Sequence, residues 1–236
     1  MVDAELKSSL AERMESVRSR IAEAARRSGR NAEAVRLVAV SKFHPIEELL
    51  SAVDCGADIL GESRVQEALS KREAWPGDKK VRWHLIGHLQ KNKVRKALDL
   101  FDLIESADNI DLAETMERIL AEQGRSPYPV LLEVNISGEA SKHGIQPAAA
   151  ESLLNAMLSR CPRLRVEGLM TIAAMQGDAR ASFSKLRELA EHLRLRTGLP
   201  LPELSMGMSG DFETAIEEGS TLVRVGTAIF GPRSVL

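Results

Sequence analysis

One lysine, Lys42, stands at the end of a short apolar segment where a charged side chain is unusual. Residues 37–40 form a continuous apolar run, Leu-Val-Ala-Val, which is typical of a strand buried on both faces of a parallel sheet. Pro45 then suits the first turn of a helix, so Lys42 should lie in a strand-to-helix loop, where repeated strand–helix folds place their active sites. Lys42 is predicted either to form a Schiff base with an aldehyde, because desolvation favours the neutral amine, or to be an ordinary lysine whose head reaches water.

Two later segments have the composition of phosphate-binding loops. Met206-Gly-Met-Ser-Gly210 is rich in small residues and precedes a predicted helix whose amide groups would point at an anion. Gly226 and Thr227 follow another predicted strand and offer further amides and a hydroxyl. Each loop alone is weak evidence, since glycine-containing turns after strands are common. Together with Lys42 and Arg224, however, the two loops suit a phosphorylated aldehyde.

Eight short strands alternate with helices along the chain. They are predicted at 37–40, 58–62, 81–86, 100–104, 129–134, 164–169, 203–205 and 221–225. No Ser/Gly/Pro linker separates them, so we predict one domain over residues 1–236, a single (β/α)8 TIM barrel of the α/β class. Residues 1–30 should add an N-terminal helix packed on the barrel through an apolar stripe that includes Leu10 and Met14. An open doubly wound sheet is the structural alternative.

The carboxyl ends of the strands of a barrel meet at one mouth, so the residues at these ends should lie together. They are Lys42, Glu62-Ser63, Gly87-His88, Glu105-Ser106, Asn135-Ile-Ser137, Met170-Thr171, the 205–210 loop and residues 224–227. Ser63 also has, with Gln66, the spacing of a capping box, which predicts that its hydroxyl closes the first turn of the following helix.

Composition excludes several classes of function. The chain has 32 Lys and Arg against 34 Asp and Glu, so no overall charge favours nucleic acid or an anionic membrane. No apolar run approaches the roughly 20 residues of a membrane span, and the N-terminus shows no signal peptide, which together predict a cytoplasmic protein. The two cysteines, Cys55 and Cys161, match no metal or redox motif and are predicted to be reduced thiols.

Ordered segments between residues 37 and 231 resemble the pyridoxal phosphate homeostasis protein family. The segments are Leu37-Val-Ala-Val-Ser-Lys42, Gly61-Glu-Ser-Arg-Val-Gln-Glu67, Trp83-His-Leu-Ile-Gly-His-Leu-Gln-Lys-Asn-Lys93, Ser141-Lys-His-Gly144, Gly168-Leu-Met-Thr171, Leu204-Ser-Met-Gly-Met-Ser209 and Arg224-Val-Gly-Thr-Ala-Ile-Phe-Gly231. Members of this family are single-domain relatives of the barrel half of alanine racemase. The resemblance implies a fold-type III barrel that holds pyridoxal 5'-phosphate (PLP) as an internal aldimine on Lys42.

The resemblance also implies a set of cofactor-binding residues: Lys42, Ser63, Met206, Gly207, Ser209, Arg224, Gly226 and Thr227. Ser209, Gly226 and Thr227 match positions that hold the phosphate, and Arg224 matches the residue facing the pyridine nitrogen. Met206 and Gly207 fall in the same loop as Ser209. Ser63 stands where the family usually has Asn, so its shorter side chain would lose a contact. No catalytic and no metal-binding residue is predicted.

The choice between a PLP carrier and an enzyme depends on two residues. Arg224 is permanently cationic and disfavours protonation of the ring nitrogen, which weakens the electron sink of PLP enzymes. A racemase also needs a second base, which its relatives supply as a tyrosine from a separate domain. The chain ends at Leu236 without such a domain, and its one tyrosine, Tyr128, should lie at the opposite end of the barrel. We therefore predict a monomeric PLP carrier and homeostasis protein, serving PLP-dependent apoenzymes, over an amino-acid racemase.

Three other functions have less support. A Schiff-base aldolase could use Lys42 on a sugar phosphate, and it would be colourless whereas bound PLP is yellow. The basic residues 91–96 could contact nucleic acid, but few aromatics accompany them, so a solvated helix face is the better interpretation. His84 and His88 are four positions apart across a strand end, so their side chains would not share a face and metal binding is not predicted. His84 is interpreted as a barrel or mouth residue whose hydrogen bonds are satisfied. His143, in a loop, has no assigned partner.

Overall fold

Eight parallel strands form a closed barrel in a computed structural model that describes residues 2–139, 141–174 and 177–232. Each strand pairs with the next one in the chain, and the last pairs with the first, with Val38 opposite Arg224. The strands are β1 (Arg36–Val40), β2 (Ile59–Glu62), β3 (Arg82–Leu85), β4 (Leu103–Ala107), β5 (Tyr128–Glu133), β6 (Leu164–Met170), β7 (Glu203–Ser205) and β8 (Leu222–Val225). The predicted barrel is confirmed, and the open-sheet alternative is wrong because the first and last strands are hydrogen-bonded to each other.

A helix follows every strand, and one further helix precedes the barrel. The helices are α1 (Val2–Arg27), α2 (Ile46–Asp54), α3 (Val65–Glu73), α4 (Val94–Leu100), α5 (Ile110–Glu122), α6 (Ala150–Arg160), α7 (Ala179–Thr197), α8 (Phe212–Glu217) and α9 (Thr227–Phe230). Within the described ranges, none of these helices combines the length and the apolar character needed to cross a membrane. The main core lies between helices and barrel, and a smaller apolar cluster that includes Val38 and Leu131 fills the barrel interior.

The N-terminal helix α1 packs against the outer helices of the barrel through its apolar stripe. Leu10 and Met14 of the apolar stripe are fully buried, and α1 lies against α8 and α9. Arg20 forms a two-pronged ion pair with Glu213, at 2.7 and 2.9 Å, and Nε of Arg13 donates to the carbonyl of Ile229 at 2.6 Å. Helix α1 therefore supports the two short helices that follow β7 and β8, the strands whose ends carry the predicted phosphate loops.

Two local predictions are wrong. The fourth strand occupies Leu103–Ala107 rather than 100–104, because Leu100 ends α4 and Asp102 is tied to the start of β3 by two hydrogen bonds with Trp83, at 2.7 and 2.8 Å. The capping box is also absent, since Arg64 is the N-terminal cap of α3 and no side chain caps that end. Ser63 instead packs its backbone against Gly87, where a Cβ atom would lie 2.4 Å from the Ser63 carbonyl oxygen. This close contact places Ser63 at the mouth of the barrel.

Candidate functional site

A cavity of about 520 Å³ opens among the carboxyl ends of the strands. This volume suits a small-molecule ligand. Six of the eight residues expected to bind a cofactor line it: Lys42, Ser63, Ser209, Arg224, Gly226 and Thr227. The closed barrel thus brings together residues that are far apart in sequence, since Lys42 and Thr227 are separated by 185 positions.

Met206 and Gly207, the remaining two expected residues, do not line the cavity. The Met206 side chain is fully buried in the apolar core. Gly207 has a φ of 92°, and a Cβ atom there would lie 2.5 Å from Cβ of Ala215 in α8. Both residues therefore shape the loop after β7, while Met208 and Gly210 of the same loop line the cavity.

The hydroxyl of Ser209 joins the two predicted phosphate loops. Its Oγ accepts hydrogen bonds from the backbone N–H groups of Gly226 and Ala228, each at 3.3 Å. Gly226 lies so close to β1 that an added Cβ would contact Val40 at 3.3 Å. Backbone amides, the Ser209 hydroxyl and the nearby Thr227 thus share one corner of the cavity. Donors gathered in this way favour an anion with several oxygen atoms.

Arg224 is buried at the cavity wall and held by a chain of hydrogen bonds. Its guanidinium donates to Oγ of Ser205 at 2.6 Å and to the carbonyl of Thr171 at 2.8 Å. Ser205 donates in turn to Glu105 at 2.5 Å, whose other oxygen lies 2.7 Å from Nδ1 of His84. Burial alone would raise the pKa of Glu105, but the hydrogen bond and charge of His84, together with the Arg224 charge, lower it below its ordinary value. An anionic Glu105 thereby balances the buried cation.

The prediction that His84 is a satisfied barrel residue is confirmed, since the side chain is buried and paired with Glu105. Ser205 and Glu105 were expected at the mouth but not as partners of Arg224. Their link spans 100 residues of sequence, so no local pattern indicates it.

The residue before Lys42 is held by an ion-pair network from α3. Nζ of Lys71 donates to the carbonyl of Ser41 at 2.8 Å and to Glu62 and Glu67 at 2.7 Å each. The Ser41 hydroxyl also donates to Glu62, at 2.6 Å. The end of β1 is therefore anchored on its outer side, while Lys42 lines the cavity.

The residue after Lys42 is held in a strained conformation. Phe43 has a φ of 68°, in the left-handed region, and its N–H donates to Glu67 at 2.5 Å. A bulky residue in this region costs on the order of 1–2 kcal/mol and persists only where surrounding contacts impose it. The loop that presents Lys42 is thus preset by Glu67.

Glu133, the last residue of β5, is a cavity residue that sequence reasoning did not single out. It is 6% exposed, and its Oε2 has no hydrogen-bond partner among the described residues. The pKa of Glu133 is raised to about 7, mainly by burial and then by the charge of Asp108. The charge of Arg224 opposes this rise. The only available signal was its place at a strand end, because its apolar surroundings are assembled from other strands.

Comparison with known proteins shows which class of barrel this chain belongs to. Residues 13–234 match the family model of the alanine racemase N-terminal domain. The alanine racemase of Clostridium difficile 630 superposes with a TM-score of 0.76 at 12% identity, covering 95% of this chain and 57% of the racemase chain. At that identity the likeness concerns the fold, and it agrees with the expected fold-type III barrel.

Closer relatives identify the family within this class. The pyridoxal phosphate homeostasis protein of Aquifex aeolicus is 42% identical over 225 residues, which is 94% of this chain and 97% of that protein. The structure of PipY from Synechococcus elongatus PCC7942, solved with PLP bound, has a TM-score of 0.82 at 38% identity and covers 94% of this chain and 100% of that chain. The chain belongs to the pyridoxal phosphate homeostasis protein family, as the ordered sequence segments indicated.

Proposed function

We propose that this protein binds PLP in the cavity at the mouth of the barrel, through Nζ of Lys42, and acts in PLP homeostasis without catalytic turnover. The observation that carries the proposal is the meeting of Lys42, Arg224 and the Ser209 corner in one cavity of about 520 Å³. PipY, a relative of nearly the same length, holds PLP. Bound PLP supplies an aldehyde for an amine and a ring that withdraws electrons.

The Ser209 corner fits the phosphate group. The amides of Gly226 and Ala228 already converge on one oxygen atom, the Ser209 hydroxyl. A phosphate there would accept hydrogen bonds from the same amides, from Ser209 itself and from the Thr227 hydroxyl. Ser63, across the mouth, would give the ligand a weaker contact than the longer Asn side chain of the family.

Arg224 supports a holding role over turnover. Its two hydrogen bonds, to Ser205 and Thr171, orient the guanidinium within the cavity wall. A fixed cation at the pyridine nitrogen would keep a proton from that atom, so the ring would withdraw electrons less strongly. The retained PLP would then activate an attached amino acid poorly.

Tyr128, the single tyrosine of the chain, is not placed to act as a second base. It begins β5, at the end of the barrel opposite the cavity, and its hydroxyl donates to the carbonyl of Phe101 at 2.6 Å. Burial raises the pKa of Tyr128 above its ordinary value. A racemase reaction that depends on tyrosine as the base has no support from this residue.

We further propose that the mouth exchanges PLP with PLP-dependent apoenzymes and that the protein acts as a cytoplasmic monomer. Phe43, Ile172 and Met208 are exposed apolar side chains at or beside the cavity rim, which suits contact with another protein. Among the described residues of the basic segment, Lys91 pairs with Asp111 and Arg95 with Glu122. These ion pairs favour the solvated-face interpretation over a nucleic-acid site.

An absorbance spectrum before and after borohydride reduction tests the proposal. The purified protein should be yellow with PLP, and reduction should fix the cofactor to Lys42, identified by peptide mapping. Lys42→Ala should lose the absorbance and the tag, whereas Lys185→Ala, which removes an exposed lysine of α7, should keep both. A protein that takes up no added PLP would instead support the aldolase, and rapid exchange of L- into D-amino acids would support the racemase.

A further inference from the structure

Two histidines and one aspartate meet at the rim of the cavity. His88 follows β3, Asp108 follows β4, and His143 lies in the loop after β5. The two imidazole rings are stacked, with centroids 4.1 Å apart and planes 10° from parallel. Nδ1 of His88 lies 3.8 Å from Oδ2 of Asp108. One nitrogen of each ring and one oxygen of Asp108 all lie within 4.8 Å of one another.

The side chains around these three residues favour the binding of a cation. Oδ1 of Asp108 accepts a hydrogen bond from the Asn109 amide at 2.7 Å, which steadies the carboxylate while Oδ2 faces His88. His88 and His143 both line the cavity. Glu133 lines the same cavity, its Oε2 has no hydrogen-bond partner within the described part of the chain, and its charge interacts with that of Asp108. This side of the mouth thus combines two imidazole side chains with neighbouring carboxylates.

The donor set and its geometry match one class of ion. Imidazole nitrogen and carboxylate oxygen are ligands of zinc and related divalent transition metals, and three protein ligands leave a fourth position open. Bonds of about 2.0–2.1 Å require ligand atoms about 3.4 Å apart in a tetrahedron. The present spacing of up to 4.8 Å would close by side-chain rotation of His88 and His143, which are both exposed.

We propose that His88, Asp108 and His143 form a binding site for a divalent transition-metal ion of the zinc class, with its open position facing the cavity. The site uses the β3–β5 side of the barrel, whereas Lys42, Ser209 and Arg224 occupy the β7, β8 and β1 side. None of its three ligands is among the residues proposed to hold PLP.

Cobalt titration of the protein freed of PLP and treated with a chelator tests the site, and PLP must be removed because it binds divalent metals itself. One Co²⁺ per chain should produce the visible bands of a tetrahedral complex, and Zn²⁺ should displace it. His88→Ala, His143→Ala and Asp108→Asn should each weaken binding at least about 10-fold, since even residues that only support ligands contribute that much.

His192→Ala is the matched control, because His192 is an exposed histidine of α7 whose Nε2 lies 3.0 Å from Glu151, and it does not line the cavity. It should bind metal as the unaltered protein does. Absence of tetrahedral bands would overturn the proposal, and so would equal uptake by the control and the three site variants. The three side chains are at least partly exposed, so the variants should fold, and a thermal transition for each one checks this.

Discussion

The two sides of the cavity mouth differ in how fully their polar groups are satisfied. On the β7–β8 side, the buried Arg224 is hydrogen-bonded to Ser205 and Thr171 and balanced by Glu105. On the β3–β5 side, Glu133 has a buried oxygen with no hydrogen-bond partner among the described residues, and the rings of His88 and His143 stack at the rim. The first side is preorganised to hold an anionic ligand in one pose. The second side carries Glu133, whose raised pKa makes its charge depend on pH, and the histidines of the proposed metal site.

Removing the charge of Glu105 should have the largest effect on stability. Glu105→Gln would leave the buried Arg224 without its balancing anion, which costs about 3 kcal/mol of unfolding free energy. Urea denaturation measures this loss. Glu122→Gln, which removes the partner of Arg95 and Arg118 in two surface ion pairs, should change stability far less, because exposed ion pairs contribute little. Equal losses in the two variants would show that the Arg224 side does not depend on charge balance.

Glu133→Gln should stabilise the protein at high pH and not at low pH. Because the folded-state pKa of about 7 is raised above the unfolded value, folded Glu133 holds its proton longer, and stability is lost as pH rises through the window between the two values. The variant should therefore exceed the unaltered protein by up to about 3 kcal/mol at pH 8 and match it near pH 4. Urea denaturation across this range, in chelator-containing buffer, gives the difference.

The exposed Glu188 of α7 provides the control for that series, since Glu188→Gln should give no comparable gain at pH 8. A gain for Glu133→Gln that is the same at every pH would mean that shape rather than charge limits this side of the cavity. The comparison between the two sides would then lose its electrostatic basis.

Ser209→Ala tests the anion-binding side through the ligand. Loss of the hydroxyl removes one hydrogen bond to the proposed phosphate and should weaken PLP binding by about 1 kcal/mol, or about fivefold. Fluorescence or absorbance titration with PLP measures the affinity. Ser184→Ala, which alters a serine of α7 away from the cavity, is the control. Binding that is unchanged in Ser209→Ala would contradict the assignment of this corner to the phosphate.

Phe43→Gly should have the smallest effect on stability and a separate effect on the site. Glycine adopts a φ of 68° without strain, so we expect a change of no more than about 0.5 kcal/mol, with strain relief opposing the greater freedom of the unfolded chain. The looser loop should present Lys42 less precisely and slow its labelling by PLP and borohydride. An unchanged labelling rate would show that the conformation of Phe43 does not preset Lys42.

Most of the fold could be read from the sequence because its signals are local. Apolar runs such as 37–40 and the regular alternation of strand and helix predicted the barrel, and each strand required only its own few residues. The fourth strand was misplaced because the apolar residues around Asp102 suit either position, and the choice depends on a contact with Trp83. The capping box failed for a similar reason, since the contact of Ser63 with Gly87 comes from a neighbouring strand.

The sequence by itself determined the lysine at a strand end, the two loops rich in small residues and the arginine between them, because these features are turns and termini with short-range requirements. Tertiary structure alone decided that Met206 packs in the core, that Glu105 balances Arg224 through Ser205, and that the rings of His88 and His143 stack. Burial, charge balance and metal-ligand spacing are properties of groups brought together from distant segments. They exist only once the barrel closes.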